Sequence, residues 1–359
     1  MNKTKIILWI IIIVIIIGGL WYGQGKKAEK ESKNKLEVAV IIPLTGPSSP
    51  EGEDFLNGLL LAKEKLNPDI IFYIEDSQGK ATEGLTAAKK LLDTKNIDII
   101  VSFQSLVSIP LLALADQYNK PLVVTSVAQD EFTQKSKNAF RLFPTARQYA
   151  SMAAEFANKK GYKNVSILTV HDEYGESVKE QFKKNFKGSI VHQESFEIPE
   201  RDFRTVLIKI SNSEAVFSVG YNIHWVSLFK QREELGKDTI FISNQNMVSQ
   251  LVRSEIDDLL TNAYAVVPSS TLLSDTTKEF VDEYIKKYGH EPDWVAPFGY
   301  DMTFVLDAVQ KNGKKPIEAL HEIRFEGLNG TISFDENGES NIPLIMIQAK
   351  DGSIELVEK

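Results

Sequence analysis

The sequence predicts an α/β protein made of two doubly wound, parallel-sheet lobes and preceded by an N-terminal membrane helix. Three observations predict it. Apolar strand-like runs alternate with amphipathic helical segments from Leu36 to Ser126. The same rhythm restarts after "RLFPTARQ" (Arg141–Gln148). An uncharged apolar run, Ile6 to Gly23, stands ahead of both. Strands alternating with helices imply parallel sheets covered on both faces.

In the first half, "LEVAVIIP" (Leu36–Pro43), "DIIFYIED" (Asp69–Asp76), "IDIIVSF" (Ile97–Phe103) and "KPLVVTS" (Lys120–Ser126) read as strands. Phe55, Leu59, Ala62 and Leu66 recur at helical spacing, and that helix ends at Asn67-Pro68. Leu85, Ala88 and Leu92 mark a second helix over about Thr82–Asp93, and a third lies around Leu111–Tyr118. In the second half the strands are "KNVSILTV", "GSIVHQESF", "EAVFSVG" and "DTIFISN", beginning at Lys163, Gly188, Glu214 and Asp238. Each half thus supplies a sheet of four to five strands, with Arg141–Gln148 as a crossover. A helical stretch around Asp275–Ile323 follows, then a hairpin-rich tail in which Asn337-Gly338 suits a tight turn.

Composition excludes several functions. The chain has 359 residues, 43% of them hydrophobic, enough for two lobes. It has no cysteine, which rules out disulfides, thiolate metal sites, cysteine nucleophiles and a lipid-modified N-terminal cysteine. Net charge is −8; the first 35 residues carry seven Lys and two acids, leaving 34 basic against 47 acidic residues in the body. A body this acidic, without a basic stripe, argues against nucleic-acid binding. The five histidines are scattered without metal-ligand spacing, and neither a phosphate-binding glycine loop nor a Gly-x-Ser-x-Gly elbow is present. The pairs Glu75-Asp76, Asp172-Glu173 and Asp257-Asp258 read as solvated loop ends. Neither a cofactor nor a catalytic residue is expected.

At the N-terminus, Lys3 and Lys5 precede eighteen uncharged residues, with Trp21 and Tyr22 at an interface position. No small-x-small cleavage site follows cleanly. We read residues 1–24 as an uncleaved anchor in preference to a cleaved signal, and residues 25–35 as a polar tether. Either reading places the body outside the cytoplasmic membrane.

Candidate binding residues lie on loops at strand ends, where α/β proteins hold ligands. "PLTGPSSPEG" (Pro43–Gly52) opens from the first strand. "SFQSLVS" (Ser102–Ser108), with Gln104 and Ser105, and "TSVAQ" (Thr125–Gln129) follow the third and fourth strands. Hydroxyls and free N–H groups at a helix start suit a carboxylate; Ser105 also reads as an ordinary N-cap. In the second half, "HDEYGES" and "GYNIHW" place Tyr174 and Tyr221 at strand-to-helix turns. Two Tyr facing two Ser loops across a cleft make a binding arrangement.

The order of these pieces resembles the branched-chain amino-acid-type solute-binding proteins of ABC transporters, which have the type I periplasmic-binding fold. The resemblance spans nearly all of Leu36–Lys359. It rests on "VAVIIPLTGP" with "NGLLLA", "IEDSQGKATEGLTAAKKLL", "AFRLFPTARQYA", "VSILTVHDEYGESVKEQF", "DFRTVLIKI", "VGYNIHWVSLFKQREELG", "PFGYDMTFVLDAV" and "LNGTISFDENGES", in the family's order. It implies two lobes joined by three crossovers, residues 36–143 with 267–328 and residues 144–266 with 329–359. It implies an extracytoplasmic protein that captures a small polar ligand (an amino acid, amide, small carboxylate or peptide-like molecule) and delivers it to an ABC permease. A membrane-anchored sensor is the alternative use of the same lobes.

By position, the resemblance implies that Ser105 and Ser126, with the N–H of Ala128, hold a ligand carboxylate. Tyr174 and Tyr221 wall the second lobe, Pro47 to Glu51 lie at the cleft mouth, and Trp294 and Phe298 approach the ligand's tail. Two departures stand out. Ser102 occupies a usual Gly position. The loop that carries an acid for the ligand ammonium reads "SNQNMVS" (Ser243–Ser249), so Gln245 or Asn246 stands in its place. An amide cannot neutralise a buried ammonium. Either Glu51 or Asp301 supplies the charge, or the ligand is not an ordinary zwitterion.

Overall fold

The computed structural model describes residues 35–271, 274–350 and 352–358. The apolar run Ile6–Gly23, expected as a membrane helix, lies outside the described residues, as does all of the tether but Lys35. Among the described residues no helix is long and apolar enough to cross a membrane.

The first sheet has five parallel strands: β1 (Leu36–Ile42), β2 (Ile70–Asp76), β3 (Ile99–Phe103), β4 (Leu122–Thr125) and β5 (Ala139–Arg141), in the order β2-β1-β3-β4-β5. Its central strands are continuous apolar runs because helices cover both faces; Val38 to Ile42 are fully buried. The second sheet is formed by β6 (Asn164–Val170), β7 (Ser189–Phe196), β8 (Ala215–Val219), β9 (Phe241–Asn244), β10 (Ala263–Pro268), β13 (Leu344–Lys350) and β14 (Ser353–Glu358). Its order is β14-β13-β10-β9-β8-β6-β7, parallel from β7 to β10 and antiparallel beyond. This sheet has seven strands rather than the expected four to five. The tail is hairpin-rich as expected, with β13 and β14 antiparallel to one another, and the burial of Ile345, Met346 and Ile347 of β13 against β10 adds this hairpin to the edge of the sheet. A two-stranded ribbon, β11 (Phe325–Gly327) with β12 (Gly330–Ile332), stands apart from both sheets.

Glycines let two helices of the first lobe touch backbone to backbone. A Cβ on Gly58 would lie 2.0 Å from the Ala296 carbonyl oxygen, and one on Gly299 would lie 1.9 Å from that of Phe55. Helix Ser49–Leu66 therefore packs directly on helix Ala296–Asn312, and the Thr303 hydroxyl donates to the Leu59 carbonyl at 2.8 Å. The contact fixes Glu51 and Trp294 relative to one another, since each sits within a turn or so of its helix's start.

The chain passes between the sheets three times: at 142–145, after Pro268 and across 333–343. The passages are tied side by side. Arg141 N–H donates to the Gly338 carbonyl at 2.8 Å, Ser340 N–H to the Arg141 carbonyl at 3.1 Å, and Ser269 N–H to the Pro343 carbonyl at 3.0 Å. Gly338 has φ +77°, and a Cβ there would meet the Ala139 carbonyl oxygen at 2.2 Å, so the Asn337-Gly338 turn both reverses the chain and admits β5.

Arg141 is wholly buried. Its Nε donates to Glu339 Oε2 at 2.8 Å, and Nη2 pairs with Glu339 Oε1. Its Nη1 donates to the carbonyls of Val127, at 3.0 Å, and Gln129, at 2.5 Å. One side chain thus joins the first and third passages to the loop that carries Ala128.

Candidate ligand-binding cleft

Between the lobes lies a cavity of about 660 Å³. Gln104, Ser105, Ser126, Ala128 and Glu51 line it from the first lobe, with Trp294 beside them. Tyr174, Tyr221 and Gln245 line it from the second. Nine of the residues singled out in the sequence therefore share one space.

The opening loop is organised by Asp76. Its carboxylate accepts from Leu44 N–H at 2.9 Å, Thr45 N–H at 3.2 Å, the Thr45 hydroxyl at 2.6 Å and Gln78 N–H at 2.7 Å. Burial pushes this carboxyl up, but those donors outweigh it and hold Asp76 below the ordinary carboxylate range. Asp76 stays partly exposed at the end of β2, as the sequence reading has it, and its carboxylate also orders the loop that delivers Pro47 and Glu51.

Ser105 is the first residue of helix Ser105–Tyr118 rather than its N-cap. Gln104 occupies the cap position with φ +71°, and no side chain caps the helix. The first-turn amides therefore lack intrahelical partners and lie at the edge of the cavity. Ser126 is likewise left-handed, at φ +57°. Two non-glycine residues in this region on one cavity wall mark backbone strain of the kind that collects at ligand sites. Ser102 is accounted for as well: its hydroxyl accepts from Ser108 at 2.9 Å, so it braces the helix.

In the second lobe, Asp172 is the N-cap of helix Glu173–Asn185, accepting from Gly175 N–H at 2.8 Å. Its other oxygen accepts from the Tyr221 hydroxyl at 2.6 Å. Asp172 was read from sequence as solvated; it instead sets the ring of Tyr221. The Tyr174 hydroxyl accepts from the Asn244 amide, which fixes the second ring. Burial pushes both phenols well above their ordinary range, so they stay neutral. Asn246 is committed to structure: its amide donates to the Gly220 carbonyl at 3.0 Å. Gln245 Oε1 has no partner among the described residues, which singles out Gln245 as the free amide of this loop.

Two expectations are corrected. Asp301 does not reach the cleft. It is wholly buried beside the β11–β12 ribbon, accepting from the N–H groups of Leu328 (2.8 Å) and Asn329 (2.9 Å), and burial pushes its carboxyl up to about 6. Phe298 does not reach it either; it is wholly buried, 5.3 Å from the Phe143 ring and 6.4 Å from that of Trp294. Phe143 and Trp294 line the cleft, and Phe298 backs them.

The lobes meet across the cleft. Asn222 donates to Glu51 Oε1 at 3.0 Å, Gln250 N–H to Asp293 at 3.2 Å, and Gln181 to Asp130 at 2.7 Å. Burial pushes the Glu51 carboxyl up to about 7 against the pull of its own backbone N–H, and the nearby Asp293 and Asp54 add to the rise. Asn222, Ile198, Ile223, Val226 and Leu251 also line the cavity and were not singled out from sequence. Asn222 was within reach, as the residue after Tyr221; the aliphatics give no local signal.

Glu51 generates a pH prediction. Its folded value near 7 lies above the ordinary 4.5, so between those values the folded chain holds a proton that the unfolded chain has released. Stability is thus fully present below pH 4.5 and falls as pH rises through 7. Glu51→Gln should stabilise the protein at pH 8 by about 1–3 kcal/mol and leave it unchanged near pH 4. Urea unfolding at the two pH values checks this; an equal effect at both would show that the carboxyl is not perturbed.

The model for periplasmic binding proteins matches residues 35–353. The leucine-, isoleucine-, valine-, threonine- and alanine-binding protein of Pseudomonas aeruginosa is 22% identical over 85% of this chain and 87% of its own. A Leu/Ile/Val-binding protein homolog from Brucella abortus is 23% identical over 80% of this chain and 77% of its own. Two solved structures share the fold. The branched-chain amino acid transporter substrate-binding protein LivJ of Streptococcus pneumoniae, in complex with isoleucine, has a TM-score of 0.82 at 21% identity, over 90% of this chain and 100% of that one. An ABC-transporter solute-binding protein of Rhodopseudomonas palustris, in complex with 3,4-dihydroxybenzoic acid, has a TM-score of 0.83 at 22% identity, over 91% and 96%. With a match that runs almost the length of the body, the chain belongs to the periplasmic binding protein family.

Proposed function

We propose that this chain is the extracytoplasmic solute receptor of an ABC importer and that its ligand carries a carboxylate. One observation carries the reading: loops from two lobes bring an uncapped helix start with Ser105, Ser126 and Ala128 into the same cavity as Tyr174, Tyr221, Gln245 and Glu51. The amide-rich wall suits an anion. The named ligands of the relatives, several aliphatic and small amino acids and a dihydroxybenzoic acid, share a carboxylate and little else, which supports that assignment.

Glu51 takes the place of the acid missing from Ser243–Ser249. It faces the cleft, one of its oxygens is buried without a partner, and Asp301 is spoken for. An ammonium beside Glu51 would neutralise it and draw its carboxyl back down. The ligand then bridges an anion wall in the first lobe and groups of both lobes, so occupancy favours the closed arrangement.

A thermal-shift screen of the whole chain in detergent tests this. At a hundredfold excess over Kd a ligand adds about 2.7 kcal/mol, which corresponds to a shift of roughly 5–10 °C. The hits should carry a carboxylate, and amine-bearing hits should be lost in Glu51→Gln. Hits confined to uncharged or cationic solutes would refute the carboxylate wall.

The segment Ile6–Gly23 anchors the body to the membrane in this proposal, because a long apolar run there lacks a clean cleavage site. N-terminal sequencing of the mature protein should begin at or next to Met1; a start near Gly25 would show a cleaved signal instead.

A further inference from the structure

The inner wall and the mouth of the cleft differ in chemistry. Four buried side-chain atoms of the cavity lining have no hydrogen-bond partner among the described residues: Glu51 Oε2, Asn222 Oδ1, Gln245 Oε1 and Trp294 Nε1. Three are acceptors and the indole N–H is a donor. Buried polar atoms are ordinarily paired, so four on one cavity point to groups that a ligand supplies.

Around these polar groups lies an aliphatic patch. Leu106 is 61% exposed, Ile198 44%, Ile223 39% and Leu251 39%, and all four line the cavity. Leu106 comes from the first lobe and the others from the second. Singly exposed aliphatics need no explanation, but four gathered on one cavity mark a binding surface.

Size adds a third constraint. Leucine has nine non-hydrogen atoms. Even at the ~30 Å³ that a water occupies in the liquid, these fill roughly 270 Å³. The cavity holds about 660 Å³.

We infer that the cleft takes a short apolar peptide, with a dipeptide of two aliphatic residues as the fitting size, in preference to a single amino acid. The inference rests on the carboxylate wall proposed above. A dipeptide brings a carboxylate to Ser105 and Ser126 and an ammonium to Glu51. Its peptide N–H meets Gln245 or Asn222, and its peptide carbonyl meets the Trp294 N–H. Its two side chains cover the aliphatic patch. A free amino acid has no amide group, leaves the indole N–H without an acceptor of its own and fills less than half of the space. Binding involves no covalent step.

The test is isothermal titration of the whole chain in detergent with Leu-Leu and with leucine. Leu-Leu should bind at least tenfold more tightly. Leu106→Ser combined with Ile223→Ser should weaken Leu-Leu about tenfold. Trp294→Phe, which keeps an aromatic ring and deletes the N–H, should also weaken Leu-Leu about tenfold, with the melting temperature as the check on folding. Leucine binding as tightly as Leu-Leu, absence of Leu-Leu binding, or folded variants with unchanged Leu-Leu affinity would overturn the inference. Leucine or benzoate binding with Leu-Leu silent would do so while leaving the carboxylate wall intact. Leu-Leu binding that survives Ser105→Ala with Ser126→Ala unchanged would instead remove the carboxylate wall, and this inference with it.

Discussion

The buried pairing of Arg141 with Glu339 is the interaction on which the rest of this molecule depends. Two lobes that share no sheet can hold a common cleft only if the passages between them are fixed. Arg141 does this from the end of β5. It holds Glu339 of the third passage, and its remaining donors grip the carbonyls of Val127 and Gln129 on either side of Ala128. A buried guanidinium is tolerable only when its donors are matched, and here the carboxylate and the carbonyls of Val127, Gln129 and Asp130 match them. The same side chain that ties the passages together therefore also sets the loop that carries Ala128.

From that anchor the cleft follows by short steps. Asp76 props the first loop open, and the Gly58–Gly299 contact fixes Glu51 beside Trp294. Asp172 and Asn244 hold the two tyrosine rings of the opposite lobe. Among the buried side-chain atoms without a partner in the described residues, those of Glu51, Asn222, Gln245 and Trp294 gather on this one cavity and are drawn from both lobes. The acidic partner in it belongs to the first lobe, at the start of a helix, and Asn222 bridges to it from the other side. A group that touches both lobes reports on their closure as well as on the ligand.

Much of this was legible in the sequence because strand ends carry local signals. Gly, Pro, Ser and Tyr at strand-to-helix turns announced the loops, and the alternating rhythm announced the sheets. The hairpins of the tail were legible from their turns, but their attachment to the edge of the second sheet was not, because the partner strand β10 lies far away in the sequence. A carboxylate that orders a loop or caps a helix, as Asp76 and Asp172 do, has the same local sequence as one that only faces water. Asp301 and Phe298 lie about two turns and one turn of helix from Trp294, yet their orientation is decided by packing against the β11–β12 ribbon and Phe143. The aliphatic patch around Leu106, Ile198, Ile223 and Leu251 draws on separate segments of both lobes, and no spacing within one segment could reveal it.

The clamp is tested most directly by removing its charge. Arg141→Met leaves Glu339 half-buried without its partner and strands the Val127 and Gln129 carbonyls, so equilibrium unfolding in urea should show a loss of about 3–5 kcal/mol. Adding Glu339→Met should restore part of that loss, because a matched apolar pair no longer buries an uncompensated charge. A single variant within about 0.5 kcal/mol of the parent would contradict the account, since surface substitutions away from special features have effects of that size.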